Sequence, residues 1–363
     1  MAQPFIGRLF RGQSTSTLRQ STGTLTQTRS YASKKVIPTF SPTSSPELDK
    51  SLNHFREELF VPFALGTQQR KLMFGKKYAE RLEQEPINVS IGKNDEAFQL
   101  RHMDAQARPT KQEAFDVLSL MLTTKDRQNI VPFLSGIRMS RRIISSDRWQ
   151  WLMRKAGQAD ALGIILEAAK QSKRTGLRLN DVDIVKRLFF ELHRYAQRGA
   201  FKDPQVSKAF GLAKQFVALM EAPEHIEYNR ELDPKRKPFV IGTLLELSAA
   251  RAVNELGRND VDGQVRAYAL RLLDCWALGN FRSEATNWYE IDHMLQENVP
   301  IYNGMKLALQ VNNISNDKSV ASGLRSRVKE LGTLIAKHTE AAPTRVLQRP
   351  TLGLEQSKLL HQG

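Results

Sequence analysis

Between Val182 and Arg198 the apolar residues Val182, Val185, Leu188, Phe189, Leu192 and Ala196 return at the spacing of helical turns, while Lys186, Arg187, Arg194 and Arg198 take the opposite side. That rhythm predicts a helix with one packed face and one cationic face. The same period continues in both directions. It is interrupted at Gly176, Gly199, Pro223, Asp233-Pro234, Gly257, Gly279 and Pro300, residues that disfavour helix continuation. The predicted helices cover 127–140, 146–156, 158–173, 181–199, 204–221, 238–256, 262–278, 284–296, 303–313 and 319–338. Short breaks between helices favour antiparallel neighbours.

The first third is less regular. Leu52, Phe55 and Leu59 predict a short helix stopped before Pro62, and Leu72, Met73, Tyr78 and Leu82 a second one over 68–82, ended by Pro86. Ile87, Val89 and Ile91 alternate with polar residues, but one five-residue strand forms no sheet, so 87–109 is read as an extended connection. Thr110 followed by Glu113 has the spacing of a capping box and opens a helix carrying Phe115, Leu118 and Leu122.

These elements predict an all-α fold of stacked antiparallel helical hairpins, irregular and solenoid-like, after a disordered N-terminal presequence. The expected divisions are 1–31 presequence, 32–50 linker, 51–109 small helical region with an extended connection, 110–339 hairpin domain and 340–363 loosely ordered tail, where Leu352, Leu354, Leu359 and Leu360 are available to dock. No residue recurs at a fixed spacing of a regular repeat.

Charge changes this picture most. The 363 residues carry a net charge of +16, which favours nucleic acid, an anionic membrane surface or an acidic protein as partner. Residues 1–46 hold no Asp or Glu, yet contain Arg8, Arg11, Arg19, Arg29, Lys34 and Lys35 among many Ser and Thr, with Phe5, Ile6, Leu9 and Phe10 on one side of a short helix. This is the composition of a mitochondrial presequence. Arg29-Ser30-Tyr31-Ala32 resembles the matrix-peptidase pattern, with cleavage between Tyr31 and Ala32. Setting aside residues 1–35, with those six positive charges, takes +16 to +10. Of that, +8 lies between Arg138 and Arg198, where fourteen Lys/Arg meet six Asp/Glu.

Signals for catalysis are sparse. No glycine-rich phosphate loop is present after the presequence, and the seven histidines form no pair at i, i+3 or i+4. His102-Met103-Asp104 and Asp292-His293 are read as solvated or capping, and His193 as a surface residue able to add charge at acidic pH. The single cysteine, Cys275, allows no intrachain disulfide and reads as a small buried hydrophobe. No catalytic residue, metal site or cofactor is therefore expected. No run of eighteen apolar residues suggests a transmembrane helix.

Trp149-Gln150-Trp151-Leu152, Ala161 to Ala169 and Gly176-Leu177-Arg178-Leu179-Asn180 resemble degenerate pentatricopeptide-type helical hairpins of organellar RNA proteins, over residues 149–200. The resemblance implies an RNA-facing helical scaffold. The nucleic-acid-binding residues expected from charge are Arg138, Arg141, Arg142, Arg148, Arg154, Lys155, Lys170, Lys173, Arg174, Arg178, Lys186, Arg187, Arg194 and Arg198, which stacked hairpins would align as one strip. The bland alternative is that they solubilise helices and satisfy their C-termini. Lys235-Arg236-Lys237, between two prolines, is a second expected contact.

The preferred expectation is a non-catalytic mitochondrial matrix protein that binds mitochondrial RNA or ribosomal particles in organellar gene expression. Its first rival is an assembly factor or peripheral subunit of a respiratory complex, using the charge on the anionic inner-membrane surface. The second is an enzyme whose site converges only in three dimensions.

Overall fold

The structure, a computed structural model, describes residues 37–91, 96–285 and 287–361. Its helices are α1 (Pro46–Phe55), α2 (Val61–Ala64), α3 (Thr67–Phe74), α4 (Ala79–Gln84), α5 (Lys111–Thr123), α6 (Ile130–Met139), α7 (Ser146–Gln158), α8 (Leu162–Lys170), α9 (Ser172–Thr175), α10 (Val182–Arg198), α11 (Gln205–Leu219), α12 (Pro238–Glu255), α13 (Gln264–Asp274), α14 (Trp288–Ala308), α15 (Asn312–Ser315), α16 (Lys318–Glu340), α17 (Thr344–Gln348) and α18 (Leu352–Leu360). Among the described residues the fold is all-α apart from one hairpin, β1 (Ile87–Ile91) with β2 (Glu96–Leu100).

The centre is α12, buried over nearly its whole length and packed by α10, α11, α13 and α14. Small residues let α14 approach: a Cβ on Gly304 would meet the Gly242 carbonyl, and one on Gly242 would meet Ile301. This contact overrides a local rule. Pro300 was expected to separate two helices, yet α14 runs through it from Trp288 to Ala308 with Val299, Pro300 and Ile301 all buried. A proline inside a helix costs about 3 kcal/mol, and packing along α12 supplies the offset.

Two further local expectations are corrected. The helical path does not stop before Pro62: a π-type turn, with the Val61 N–H donating to the Arg56 carbonyl, places the proline in the first turn of α2, where no N–H is needed. The strand at 87–91 has a partner, because β2 pairs with it antiparallel, setting Ile87 opposite Leu100 and Val89 opposite Phe98. The hairpin closes a small second core with Met73, Leu82 and Met103. The helix expected over 68–82 is also divided, at Gly75.

Both ends of the described chain are tied down. The segment read as a linker packs Phe40 beside Phe60 and Phe133, and the Ser41 backbone exchanges two 2.9 Å hydrogen bonds with the Asn129 amide. The tail read as loose instead forms α18, docked on α14 with Leu354 fully buried. Asp292 of α14 supplies its N-terminal cap, accepting from the Gly353 and Leu354 N–H groups at 2.9 and 3.2 Å. The presequence, with Tyr31 and Ala32, lies outside the described residues.

Candidate nucleic-acid interface

The fourteen cations of the central stretch do not share one environment. Helix α6 ends where Arg142 N–H reaches back to the Ile137 carbonyl, which throws Arg141 into the left-handed region at φ 60° and its side chain outward. Helix α9 ends at Gly176, φ 84°, a conformation glycine adopts without strain. The Arg138 side chain lies against Gly176, with its Cδ 3.2 Å from where a Cβ would stand. The ends of α6 and α9 therefore meet, and Arg138 reaches the backbone between Arg174 and Arg178, which stand two residues either side of Gly176; all three are exposed, as is Arg141 in the turn that ends α6. None of these four forms an ion pair among the described residues. Arg174 bonds only the neutral Gln171 amide. Lys173, on the same short helix, is exposed but pairs with Glu224 at 2.8 Å, which raises its pKa.

At the α7–α10 seam the outcome is different. Glu191 is completely buried, and Arg187 and Arg194 approach it at 3.6 and 3.2 Å, with their side chains 11% and 16% exposed. A Cβ on Gly157 would come within 2.5 Å of the Glu191 carboxylate, so a glycine in α7 makes room for it. Burial pushes the carboxyl pKa up and that of Arg187 down, while Arg194, Arg187, Arg198 and Arg154 oppose the rise at Glu191. Arg198 crosses the seam at the end of α10 to bond Asp160 at 2.6 Å and the Gly157 carbonyl at 2.9 Å. Lys186 pairs with Glu297 at 3.0 Å; desolvation works against its charge, and Glu297 and Asp183 outweigh it, leaving the pKa raised. The face expected to meet an external acid thus meets acids of its own chain.

The remaining cations spread further. Arg142 is half-buried, donates to the Pro109 carbonyl and stands near Arg108. Arg148 lies over the Phe115 ring and bonds Gln112. Lys170 pairs with Glu167 on its own helix, and Lys155 is half-exposed at the end of α7. Lys235, expected in an exposed turn, is buried against Glu221 and Asp233.

His193 is likewise not on the surface. It is fully buried, with Nδ1 2.7 Å from Glu246 and Nε2 3.1 Å from Gln356, and Glu246 accepts from Asn303 at 2.6 Å. A histidine beside a carboxylate has the makings of an acid–base pair, but both side chains are sealed from solvent and join α10, α12, α14 and α18. No cluster of metal-ligating side chains is found among the described residues. The acids of the two acid–histidine sequences are caps: Asp104 accepts from the Gln106 N–H, and Asp292 caps α18.

Comparison with known proteins gives the scaffold a lineage. The family Mrp13, mitochondrial ribosomal protein mS27, matches residues 24–359. The chain belongs to this family. The small ribosomal subunit protein mS27 of Neurospora crassa is 27% identical over 259 residues, a match spanning 66% of this chain and 65% of that protein, just under two thirds of its length. The mS27 match bears out the organellar, ribosome-associated side of the resemblance read over 149–200; a pentatricopeptide relationship in particular is not what it names. Sequence reasoning missed two features of this chain. Glu191 stands three residues after Leu188 and seven after Ile184, an acid on the apolar stripe and so a legible sign of internal pairing. Arg108 gave no such sign, because only the fold brings it beside Arg142.

Proposed function

We propose that this chain is a non-catalytic component of the mitochondrial small ribosomal subunit, located in the matrix, that holds ribosomal RNA through cations at the meeting of α6 and α9. Membership of the mS27 family supports the particle. The observation that carries the contact is that Arg138 lies on Gly176, midway between Arg174 and Arg178, and that these three and Arg141 are exposed and without acidic partners among the described residues. Phosphates supply affinity to this α6–α9 edge and no base readout. Arg148, Lys155, Lys170 and Lys173 extend it as secondary contacts. The residues of the seam, Arg154, Lys186, Arg187, Arg194 and Arg198, hold α7, α10 and α14 in place, and Arg142 secures the 108–110 turn. Import rests on the presequence, with cleavage between Tyr31 and Ala32.

Charge reversal tests this. The variant with Arg138, Arg141, Arg174 and Arg178 each changed to Glu is expected to leave the small-subunit fraction on sucrose gradients while keeping its helical circular dichroism. Retention in that fraction would refute the edge. Release of the unaltered chain from membranes by carbonate, with sedimentation indifferent to RNase, would favour the respiratory-complex reading instead.

A further inference from the structure

Helix α16 is the longest helix among the described residues, 23 residues from Lys318 to Glu340. It buries Val320, Ala321, Leu324, Leu331 and Ile335 and packs against α13, α14, α15 and α18, away from α6 and α9. Its open face is organised by charge. Lys318, Ser322, Arg325 and Lys329 follow one another at i, i+4, i+7 and i+11, the repeat that keeps side chains on one side of a helix, and all four are exposed. At 1.5 Å per residue the two lysines stand about 16 Å apart along the axis. Between residues 318 and 339 there is a single acid, Glu330, and it is paired with Arg327 at 2.6 Å. Lys318, Arg325 and Lys329 form no ion pair among the described residues.

This arrangement works against the helix that carries it. Lys318 stands in the first turn, where unpaired N–H groups make the helix end positive and an acid is the stabilising choice; that turn holds none. Asp317, the cap, is engaged by the Val320 N–H and by Arg266 at 3.1 Å. Arg325 and Lys329 are four apart, a spacing at which like charges repel. A merely solvated face mixes both signs there, so the compensating anion comes from outside the chain. The composition of the face says which anion. None of the exposed large apolar residues lies on α16, so it has nothing to insert into a membrane and no aromatic anchor for a protein interface. Cations interleaved with the exposed serines Ser319, Ser322 and Ser326 are the donors that phosphate oxygens accept from.

We infer that the Lys318–Lys329 face of α16 is a second contact with ribosomal RNA, made to backbone phosphates. The inference rests on the ribosomal reading for the presence of that RNA and on none of the α6–α9 residues. The test places a diazirine photo-crosslinking residue at Ser322 of the full-length chain, irradiates intact mitochondria and maps the adducts by reverse transcription and mass spectrometry. A parallel chain carries the probe at Arg141. The expected product at 322 is a protease-resistant adduct to small-subunit ribosomal RNA, its yield falling about tenfold when Lys318, Arg325 and Lys329 are each changed to Glu, since three phosphate contacts are lost. The milder variant, Lys318→Gln with Arg325→Gln and Lys329→Gln, keeps good helix formers at all three positions and should lower the yield in the same direction. An adduct at 322 only to protein or lipid, no adduct there, or an RNA yield unchanged in the Gln variant would overturn the inference. An RNA adduct at 322 with none at 141 would count against the α6–α9 edge alone; the converse would remove the α16 contact and leave that edge standing.

Discussion

The α6–α9 edge and the α7–α10 seam are built from neighbouring parts of the same basic stretch, yet their arginines end in opposite states. At the edge, Arg138, Arg141 and Arg178 stand in solvent with no carboxylate against them; at the seam, Arg187 and Arg194 close over a carboxylate that solvent does not reach. The difference comes from one acid on an apolar stripe. A buried Glu191 without cations would be an uncompensated charge in a poorly polarisable interior, so the seam needs its arginines for folding before they can serve anything else. Charge counted along the chain is therefore left uncompensated at the edge and becomes internal cohesion at the seam.

The sharpest way to break this contrast is Glu191→Ala. It strips the seam arginines of their partner and should destabilise the protein by about 3–5 kcal/mol, read from urea unfolding; a change below about 0.5 kcal/mol, the level of an ordinary surface substitution, would mean that the seam is as open as the edge. Next comes Gly157→Ala, which forces a methyl group into the Glu191 carboxylate and should cost about 1–3 kcal/mol, with the Arg198 contact to the Gly157 carbonyl weakened. His225 sharpens the other side, since it ties the connection between α11 and α12 to Leu179, beside Arg178 of the edge. Desolvation lowers its pKa, and protonation at Nδ1 would set a donor against the Leu179 N–H. Because the depressed value belongs to the folded state, its contribution is present above the ordinary histidine pKa near ~6.5 and is lost as pH falls through that value towards the folded one. The loss amounts to about 1.4 kcal/mol for each unit of depression. His225→Gln should flatten the stability profile below that pH, and an unaltered slope would remove His225 from the account. The smallest expected change in stability is at the edge itself: reversing Arg138, Arg141, Arg174 and Arg178 should shift the unfolding free energy by no more than about 0.5 kcal/mol per site while abolishing particle association.

Much of the helical layout was legible because its cause is local. The apolar period and the stop residues locate α7, α10, α11, α12 and α16 to within a few residues, and Thr110 does accept the Glu113 N–H as its spacing implies. Misreadings fall where a distant segment intervenes. Pro300 is carried through by α12, Ile87–Ile91 is completed by β2, and the C-terminal segment is capped from α14 by Asp292. The candidate interface divides in the same way. The residues were visible as a charge excess, whereas their accessibility depended on which helix ends met and which carboxylates lay beneath.

By itself the amino-acid order determined the helical class, the approximate limits of most helices, the cationic excess of the central stretch and the organellar character that the family match supports. Periodicity, capping and net charge are properties of near neighbours or of totals, and both can be read without coordinates. Only the tertiary structure decided which arginines face solvent, which neutralise Glu191, and that Lys318, Arg325 and Lys329 stand exposed with no carboxylate paired to them among the described residues. Burial and ion pairing are relations between residues far apart in the chain, and they exist only once α7, α10, α12 and α14 have packed.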